Sequence, residues 1–186
     1  MTGVLDFIFH RRSIRSYTGQ PVAPELLVQL LQAGMAAPSA CSSRPWEFVV
    51  VTDPEIMAEV RQKMRFGPYN APAAVCVCAN LKIANNSAAK HYWIQDCSAA
   101  VENILIAAAG LGLGTVWLGV YPMEAVMKTV RELFSIPEEV IPVCVIYVGY
   151  PAEHKEPRTS YDEHRVYWQQ YEPRKRRPKI KNAKYS

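Results

Sequence analysis

Two patterns of hydrophobic positions alternate along the chain: apolar runs of strand length and longer stretches with helical spacing. The strand-length runs lie at residues 47–52, 73–79, 115–119 and 141–148. The run at 73–79 is apolar throughout, which is typical of a strand that is buried on both faces. The four runs predict four strands, and a segment of helical character separates each strand from the next.

Four short helices are predicted from spacing and from capping residues, at 4–9, 24–35, 55–64 and 122–134. In the second, leucines recur at helical spacing after Pro24, a residue suited to a first helical turn. Asp53 is placed to cap the third helix. In the first helix, Leu5, Ile8 and Phe9 are expected to face the interior of the protein.

A further helix is predicted from Asp96 to Gly110, and this segment is apolar or small on nearly every face. Such a helix is buried, because a surface helix shows a single apolar stripe. Polar residues such as Asp96 and Glu102 interrupt it too early for a transmembrane span of about 20 apolar residues. Gly110, Gly112 and Gly114 are expected to end the helix and to allow a close backbone approach to a bound molecule.

The alternation of helices and strands predicts an α+β or α/β domain, and it leaves the strand order open. The length of 186 residues suits a single domain, with residues 1–151 as its core and residues 152–186 as a C-terminal arm and tail. The arm is polar except at Tyr161, Val166, Tyr167, Trp168 and Tyr171. Because these side chains need cover, we expect the arm to pack on the body of the chain or on a second subunit.

The five cysteines are odd in number, lie mostly in apolar segments and show no zinc-binding spacing. We expect buried free thiols, with Cys76 and Cys78 on one face of a strand, and hence a reducing cytoplasmic setting. Residues 1–20 lack the apolar core of a signal peptide. Neither export nor a membrane partner is therefore expected.

The net charge of +4 depends on the C-terminal tail, residues 174–184, which contains seven basic side chains. The rest of the chain has 14 basic and 17 acidic residues, so the body is weakly acidic. A basic tail can bind nucleic acid or an anionic surface. A solvated or partner-wrapping terminus is the interpretation favoured here, so a nucleic-acid partner is not expected.

The segment Arg11-Arg-Ser-Ile-Arg15 places three guanidiniums and a hydroxyl within five residues. In an extended segment Arg11, Ser13 and Arg15 point to the same side, and guanidiniums bind phosphate through paired hydrogen bonds. From the residues alone, a phosphate site and an exposed basic loop remain equally open. The loop at 38–46, rich in small hydroxyl residues, suits contacts with a polar heterocycle or is a plain surface loop.

Familiar catalytic motifs are missing from the sequence. The glycine run at 110–114 closes a helix, whereas a dinucleotide fingerprint follows a strand and opens a helix. No nucleophile elbow, phosphate-binding loop with its lysine, metal-binding histidine pair or carboxylate pair stands out, and the four histidines are scattered singly. No catalytic side chain and no metal site are therefore predicted, which favours a cofactor that supplies the chemistry itself.

Four stretches, in this order and spacing, resemble the FMN-dependent nitroreductases: RRSIRSY at 11–17, APSACSSRPWEFVVV at 37–51, AAAGLGLGTVWLGVYP at 107–122 and VGYPAEHKEPR at 148–158. Together with their spacing they span nearly the whole chain. The resemblance implies an α+β nitroreductase-like fold, with a central mixed sheet flanked by helices. It also implies a homodimer that holds FMN at its interface, with the C-terminal arm packed on the partner.

The resemblance further implies which residues bind the cofactor. Those expected at the FMN phosphate and ribityl chain are Arg11, Arg12, Ser13, Arg15 and Arg158. Those in the loop offered to the flavin ring, which is expected to come from the partner chain, are Pro38, Ser39, Ala40, Ser42 and Arg44. Those whose backbone is expected to line the flavin are Trp117, Leu118, Gly119 and Val120, with the Gly119 amide as the donor to flavin N5.

Three positions depart from the family pattern. Ser42 stands where asparagine is frequent, and Arg44 stands where glutamine is frequent. Arg44 adds a positive charge that is suited to an anionic reduced flavin or an anionic substrate. Ser160 stands where many relatives have a second basic residue, so phosphate binding is expected to depend more on Arg11, Arg12 and Arg15.

The function implied by the resemblance is that of an FMN-dependent oxidoreductase. It would take hydride from NADH or NADPH and reduce nitroaromatics, quinones or similar small-molecule acceptors by a ping-pong mechanism. A related flavoenzyme on the same scaffold, a dehydrogenase or a reductive dehalogenase, remains an alternative. A non-enzymatic module that binds anions or nucleic acid is the third and most distant possibility.

Overall fold

The computed structural model describes Gly3, residues 5–64 and residues 67–171. The α-helices are α1 (Asp6–His10), α2 (Pro24–Met35), α3 (Pro54–Lys63), α4 (Ala89–Gly110) and α5 (Glu124–Phe134). The strands are β1 (Trp46–Val51), β2 (Ala73–Ala79), β3 (Gly114–Gly119) and β4 (Ile141–Gly149). Two short 3-10 helices lie at Ala40–Ser42 and Glu163–Arg165. The basic tail at 174–184 lies outside the described residues.

The four strands form one sheet in the order β1-β2-β4-β3, and every neighbouring pair is antiparallel. The predicted α+β class is confirmed. The expected mixed sheet is antiparallel across these four strands, and parallel pairing in the described residues is confined to an isolated bridge between Ser13 and Thr115. Nothing in the apolar runs could reveal strand direction, because residues of either kind of sheet are apolar when helices cover both faces.

Helices cover the sheet on both faces, which explains the apolar runs. In β2, Ala73, Val75 and Val77 pack in a cluster with α2 and α4, whereas Cys76 and Cys78 belong to a second cluster with α3 and α5. Successive residues of a strand point to opposite faces, so every position of β2 is buried. The prediction that Cys76 and Cys78 lie on one face of the strand is confirmed, since their Sγ atoms are 3.7 Å apart.

The central helix α4 begins at Ala89, seven residues before the predicted start. Its first two turns contain exposed polar residues beside the buried Trp93, so this part is amphipathic and lacks the uniform apolar character of the later turns. The predicted burial of the rest is confirmed, and Ile104 is fully buried. In the described part of the chain, α4 and the other helices are all too short or too polar to cross a membrane.

The prediction for the first helix is wrong in its details. The helix spans Asp6–His10 and has no buried residue, and Leu5 and Ile8 are 55% and 47% exposed. One side of this short helix rests on the end of α4, where Phe7 lies next to Gly110. Phe9, the third residue expected to face the interior, is half-buried, so the described residues cover the predicted inward face only in part.

The other local predictions agree with the structure. The side chain of Asp53 accepts hydrogen bonds from the backbone N–H groups of Glu55 and Ile56, which confirms it as the cap of α3. Four of the five free cysteines are buried, and Cys41 is exposed. Burial raises the pKa of the Cys144 thiol well above its ordinary value, so this thiol behaves as an apolar core residue.

Candidate functional site

The arginine segment runs as extended chain between the first residues of β3 and the segment that follows β4. The N–H of Ile14 donates to the carbonyl of Thr115 over 2.8 Å. On the other side, the N–H of Thr18 donates to the carbonyl of Tyr150 and the N–H of Ala152 donates to the carbonyl of Ser16, both over 2.9 Å. Backbone bonds on both sides therefore fix the segment, while its charged side chains remain available.

Gly114 lets the arginine segment approach the sheet. A Cβ atom at Gly114 would lie 2.9 Å from the Cβ of Ile14, closer than side-chain atoms normally come. Ile14 therefore makes a close approach at Gly114, and Gly112 and Gly114 also line a cavity next to this segment. Below Ile14, the buried hydroxyl of Tyr17 donates to the Ile14 carbonyl over 2.7 Å. Burial raises the pKa of Tyr17 far above its ordinary value, so this donor stays protonated.

A cavity of about 380 Å³, here called the arginine cavity, opens beside the arginine segment Arg11–Arg15. Its lining residues are Arg11, Arg12, Ser13, Arg15, Lys155 and Arg158. Five cations and one hydroxyl group thus surround a single space, a donor set that suits a phosphate or another oxyanion. The structure brings together the five residues predicted for the phosphate end and adds Lys155, which the sequence reasoning missed although it lies within a matching stretch.

Most of the cations in this cavity are held by identified partners. The Nε atom of Arg11 lies 3.3 Å from a carboxylate oxygen of Glu102. The guanidinium of Arg12 donates to the carbonyl of Glu156. Lys155 donates to the carbonyl of Ser13 over 2.6 Å. These contacts fix charges that would otherwise repel one another, so the cavity is preorganised for an anion.

One carboxylate lies among the cations. An oxygen of Glu153 accepts a hydrogen bond of 2.5 Å from the backbone N–H of Arg15, and the same oxygen is 3.3 Å from the Lys155 ammonium. The hydrogen bond from Arg15, together with Lys155, holds the pKa of Glu153 below its ordinary value. Glu153 is therefore ionised at neutral pH and fixed between two segments of the site.

A second cavity of about 170 Å³ shares Arg11, Arg12 and Lys155 with the first. About half of its lining residues are small or apolar, such as Leu105 and Ala109 of α4, and the rest include His10, Glu153 and His154. Together the two cavities combine a strongly cationic end with a less polar extension. This combination fits an elongated ligand with one anionic terminus.

The loop at residues 38–44 is anchored to α4 by a buried carboxylate. Asp96 is 4% exposed and accepts hydrogen bonds from the Ala40 N–H over 2.9 Å and from the Ser43 hydroxyl over 2.7 Å. The side-chain amides of Asn85 and Asn86 donate to the Ser42 and Cys41 carbonyls over 3.0 and 2.8 Å. The loop is therefore a fixed structure and not a mobile connection.

Three residues of this loop have left-handed backbone conformations. Cys41, Ser42 and Arg44 have φ values of 50°, 56° and 48°, which are unfavourable for residues other than glycine. The Arg44 N–H donates to the hydroxyl of Ser39 over 3.1 Å. All three side chains are exposed at the surface of the chain. Such strain persists where surrounding contacts determine it, and it concentrates at functional sites.

The end of β3 presents alternating residues to the two sides of the sheet. Leu118 and Val120 are buried in the cluster with α3 and α5, so only their backbone can contribute to a site. Trp117 is 37% exposed and Gly119 is exposed. Apart from its two chain neighbours, no described residue comes within 4 Å of the position that a Cβ of Gly119 would occupy, so its backbone is open to a neighbouring molecule.

The predicted site residues thus form three groups on one chain: the arginine cavity, the loop at 38–44 and the end of β3. The residues lining the two cavities include none from the loop and none from Trp117–Val120. The loop and the end of β3 both lie at the N-terminal half of α4. There the ring of Trp93 packs edge to face with that of Tyr121, with 4.8 Å between the ring centroids. The arginine cavity lies at the other end of this helix.

Comparison with known proteins gives consistent matches over most of the chain. The model of the Nitroreductase family matches residues 8–65 and 63–150. A Methanothermobacter thermautotrophicus protein, provisionally named NADH dehydrogenase/NAD(P)H nitroreductase, is 43% identical over 170 residues, 90% of this chain and 87% of the relative. A Bacillus subtilis FMN reductase that uses NAD(P)H is 30% identical over 175 residues, 85% of this chain and 70% of the relative.

The fold also matches solved structures. The structure of an FMN-dependent nitroreductase from Clostridium difficile R20291 is similar to this chain with a TM-score of 0.79 and 31% identity. The match covers 89% of this chain and 98% of the other. The predicted nitroreductase-like fold is therefore confirmed.

Proposed function

The chain belongs to the nitroreductase family, as its motifs predicted, and on this premise we propose that it is an FMN-dependent oxidoreductase. It takes hydride from NADH or NADPH and reduces nitroaromatics, quinones or similar acceptors in a ping-pong sequence. The relatives named as FMN reductases and NAD(P)H nitroreductases support the cofactor and the reductant. The observation that supports it most directly is the convergence of Arg11, Arg12, Arg15 and Arg158 on one cavity.

The residues present fit FMN. The five cations of the arginine cavity suit its phosphate, and the polar side chains of the adjoining cavity, which include His10, Glu153 and His154, suit the hydroxyl groups of its ribityl chain. Bound FMN would supply two-electron chemistry between a nicotinamide and an acceptor. The protein binds and orients the cofactor, and protons come from water, which agrees with the lack of a predicted catalytic acid.

The end of β3 is proposed to line the flavin ring. Gly119 is exposed, and in the part of the chain that the structure describes only its chain neighbours come within 4 Å of the position of a Cβ atom. A planar ring can therefore approach the strand closely, with the Gly119 N–H as hydrogen-bond donor to N5. Leu118 and Val120 contribute through their backbone only, because their side chains are buried in the core.

A homodimer is proposed to complete the site. On one chain, the loop with Ser42 and Arg44 lies at the opposite half of α4 from the arginine cavity. In the described part of the chain, large apolar side chains are also exposed, including Tyr161, Trp168 and Tyr171 of the arm at 76%, 76% and 77%. Exposed apolar groups of this size favour association, at about 25 cal/mol per Å² buried. A second copy of the chain would cover them and offer its loop to the flavin ring.

The visible absorption spectrum of the purified protein, with identification of the released cofactor, tests this proposal. We expect a yellow protein that releases about one FMN per chain and bleaches anaerobically with NADH or NADPH. Addition of a nitroaromatic, a quinone or a halogenated phenol should then restore the colour at rates that rank the acceptors. A protein that remains free of flavin after incubation with FMN would refute the proposal.

The Arg15→Ala variant tests the observation on which the proposal depends. Removal of one guanidinium from the cavity should lower the FMN content of the purified protein. The matched change Lys82→Ala removes an exposed cation that pairs with Glu139 and does not line the arginine cavity and should leave the FMN content unchanged. Equal FMN content in wild type and Arg15→Ala would contradict the assigned role of Arg15.

A further inference from the structure

The end of β3 lies at an open edge of the sheet. β3 is the last strand in the strand order, and the arginine segment pairs only with its beginning, where Ser13 forms a bridge with Thr115. Among the described residues, no strand pairs with the outer side of β3 beyond this bridge. Trp117 and Gly119 therefore lie on an edge that a bound molecule can reach.

A β-bulge follows directly after β3. The N–H groups of Val120 and Tyr121 both donate to the carbonyl of Val143, over 3.2 and 3.1 Å. Val120 belongs to the core cluster with α3 and α5, whereas Tyr121 contacts Trp93 of α4, on the other face of the sheet. Bulges redirect side chains and are frequent next to active sites. The bulge therefore fixes the backbone of Tyr121 beside the open end of β3.

The ring of Tyr121 is held from one side by Trp93. The two rings pack edge to face, an arrangement that aromatic pairs prefer. Trp93 is 9% exposed and belongs to the core cluster with α2 and α4, so its own position is fixed. Tyr121 is 37% exposed, and the described part of the chain provides no hydrogen-bond partner for its hydroxyl group. Part of the ring surface and the hydroxyl group are therefore available to a ligand.

Two aromatic side chains flank the open space at Gly119. Leu118 points to the cluster with α3 and α5, so Trp117 points to the opposite face, on which Tyr121 also lies. Trp117 and Tyr121 each stand two residues from Gly119, about 6–7 Å along an extended chain. Aromatic rings and a hydroxyl donor thus border this space. A planar aromatic molecule with acceptor oxygens, such as a nitroaromatic or a quinone, matches both features.

We propose that Tyr121 is a specificity-determining residue that contacts an aromatic electron acceptor through its ring and its hydroxyl group, and that Trp93 is a positioning residue that fixes the Tyr121 ring. The use of the bound molecule as an electron acceptor rests on the proposed function. The assignment of the binding surface rests on the bulge, on the contact between Trp93 and Tyr121 and on the open space at Gly119.

Reoxidation of the FMN-loaded protein by two different oxidants tests Tyr121. The protein is reduced anaerobically, and its reoxidation is followed with 4-nitroacetophenone, a planar nitroaromatic, or with ferricyanide, which has no aromatic ring. We expect Tyr121→Ala to lower the rate constant for 4-nitroacetophenone about 3- to 10-fold, the effect of one lost aromatic contact. The rate constant for ferricyanide should stay within about 2-fold. An equal decrease for both oxidants, or no decrease for either, would overturn the assignment.

Tyr121→Phe separates the ring from the hydroxyl group. This variant keeps the ring, so its rate constant with 4-nitroacetophenone should lie between those of wild type and Tyr121→Ala. A rate constant as low as that of Tyr121→Ala would overturn the ring contact. A rate constant equal to that of the wild type would overturn the hydroxyl contact.

Trp93→Leu tests the positioning role, with Trp93→Phe as the conservative variant. We expect Trp93→Leu to lower the preference for 4-nitroacetophenone over ferricyanide, and Trp93→Phe to restore most of it, because a second ring again packs against Tyr121. In a Tyr121→Ala background Trp93→Leu should change this preference little further, since the two residues act through one contact. Full additivity, or no restoration by Trp93→Phe, would overturn the positioning role.

Ile56→Ala is the matched control. Ile56 is a 41% exposed residue of α3, which packs on the other face of the sheet, so both rate constants should equal those of the wild type. Lumiflavin, which has the flavin ring but no ribityl phosphate, tells the flavin from the acceptor as the molecule that Tyr121 contacts. Its affinity for apo-protein, measured by flavin fluorescence, should change less than about 2-fold in Tyr121→Ala. Weaker lumiflavin binding with an unchanged rate constant for 4-nitroacetophenone would overturn the assignment.

Direct binding of 4-nitroacetophenone separates failure of this inference from failure of the proposed function. Should the protein bind no flavin, the proposed function fails, and binding to the flavin-free protein is followed by ¹H line broadening of the ligand. Weaker binding by Tyr121→Ala than by the wild type would still support the aromatic surface. Equal binding by the two proteins, or no binding by either, would overturn it.

Discussion

Asp96 connects the strained loop at 38–44 to the central helix, and we expect Asp96→Ala to destabilise the protein strongly. The carboxylate is 4% exposed and accepts hydrogen bonds from the Ala40 N–H and the Ser43 hydroxyl. Ser43 is fully buried, so water cannot replace its lost partner. The change therefore leaves two donors without an acceptor in the part of the loop that contains left-handed residues.

The magnitude follows from these two hydrogen bonds. A hydrogen bond to a charged group contributes about 1.5–3 kcal/mol, and a buried donor without a partner costs a similar amount. Removal of a buried charge, which is itself costly to desolvate, offsets part of the loss. We expect a net cost of about 3 kcal/mol for Asp96→Ala. Asp96→Asn keeps one acceptor oxygen and should cost about half as much.

Urea unfolding of the apo-protein at one fixed protein concentration measures this cost, because association makes stability concentration-dependent. With a slope of about 2 kcal/mol per M urea, the midpoint should fall by about 1.5 M. Gln95→Ala, at the neighbouring exposed position of the same helix, is the matched control and should leave the midpoint nearly unchanged. The slope should stay constant across the three variants.

The loss of stability in Asp96→Ala should be concentrated in the loop. Hydrogen exchange at residues 39–44 should accelerate in Asp96→Ala, whereas the sheet should remain protected apart from the overall loss of stability. A cost below about 1 kcal/mol, within the range of ordinary surface substitutions, would mean that the carboxylate does not hold the loop. Unchanged exchange in the loop would lead to the same conclusion.

Three further predictions follow from other parts of the structure. Gly114→Ala should lower the free energy of unfolding in urea by about 1–3 kcal/mol, because its Cβ would lie 2.9 Å from Ile14. Gly119→Ala should leave stability nearly unchanged, because among the described residues only its chain neighbours lie within 4 Å of the new Cβ, and equal costs for the two variants would contradict this difference in packing. Native protein should react with one equivalent of a thiol reagent, at the exposed Cys41, and unfolded protein should react with five equivalents. The buried thiols are protected because burial blocks access and raises their pKa, to about 12 for Cys97. Rapid labelling of a second thiol in the native protein would refute this prediction. The pKa of Glu153 in the folded protein is lowered from 4.5, so its contribution to stability should be complete above about pH 4.5 and lost as the pH falls through that lower folded pKa. Glu153→Gln should therefore flatten the pH dependence of the free energy of unfolding in this range. Identical pH profiles of stability for wild type and Glu153→Gln would exclude the contribution.

Interactions within a few residues could be predicted from the sequence. The cap of α3 at Asp53, the burial of every position in β2 and the end of α4 at its glycines depend on local periodicity and capping. The family motifs also indicated the arginines that share a cavity. The start of α4 was missed because its first turns are amphipathic and differ in character from the apolar run that follows.

Contacts between distant segments were not predictable in the same way. Lys155 meets Ser13 across 142 positions of the chain, and Ala40 meets Asp96 across 56. The packing of Ile14 against Gly114 was not predicted either, because these two residues are 100 positions apart in the sequence. Each of these contacts depends on which segments the sheet and α4 bring together, and no spacing within a single segment contains that information.

The sequence by itself therefore determined the helices and strands, the burial of the core and the residue types available for binding, because hydrophobic periodicity and capping act between near neighbours. The tertiary structure decided the strand order, the exposure of α1 and the placement of Glu153 and Lys155 among the arginines. It did so because the pairing of residues 13–18 with both β3 and residues 150–152 closes the arginine cavity. That pairing is a property of the folded chain, since it requires residues 13–18 and 150–152, which are far apart in the sequence, to meet beside the sheet.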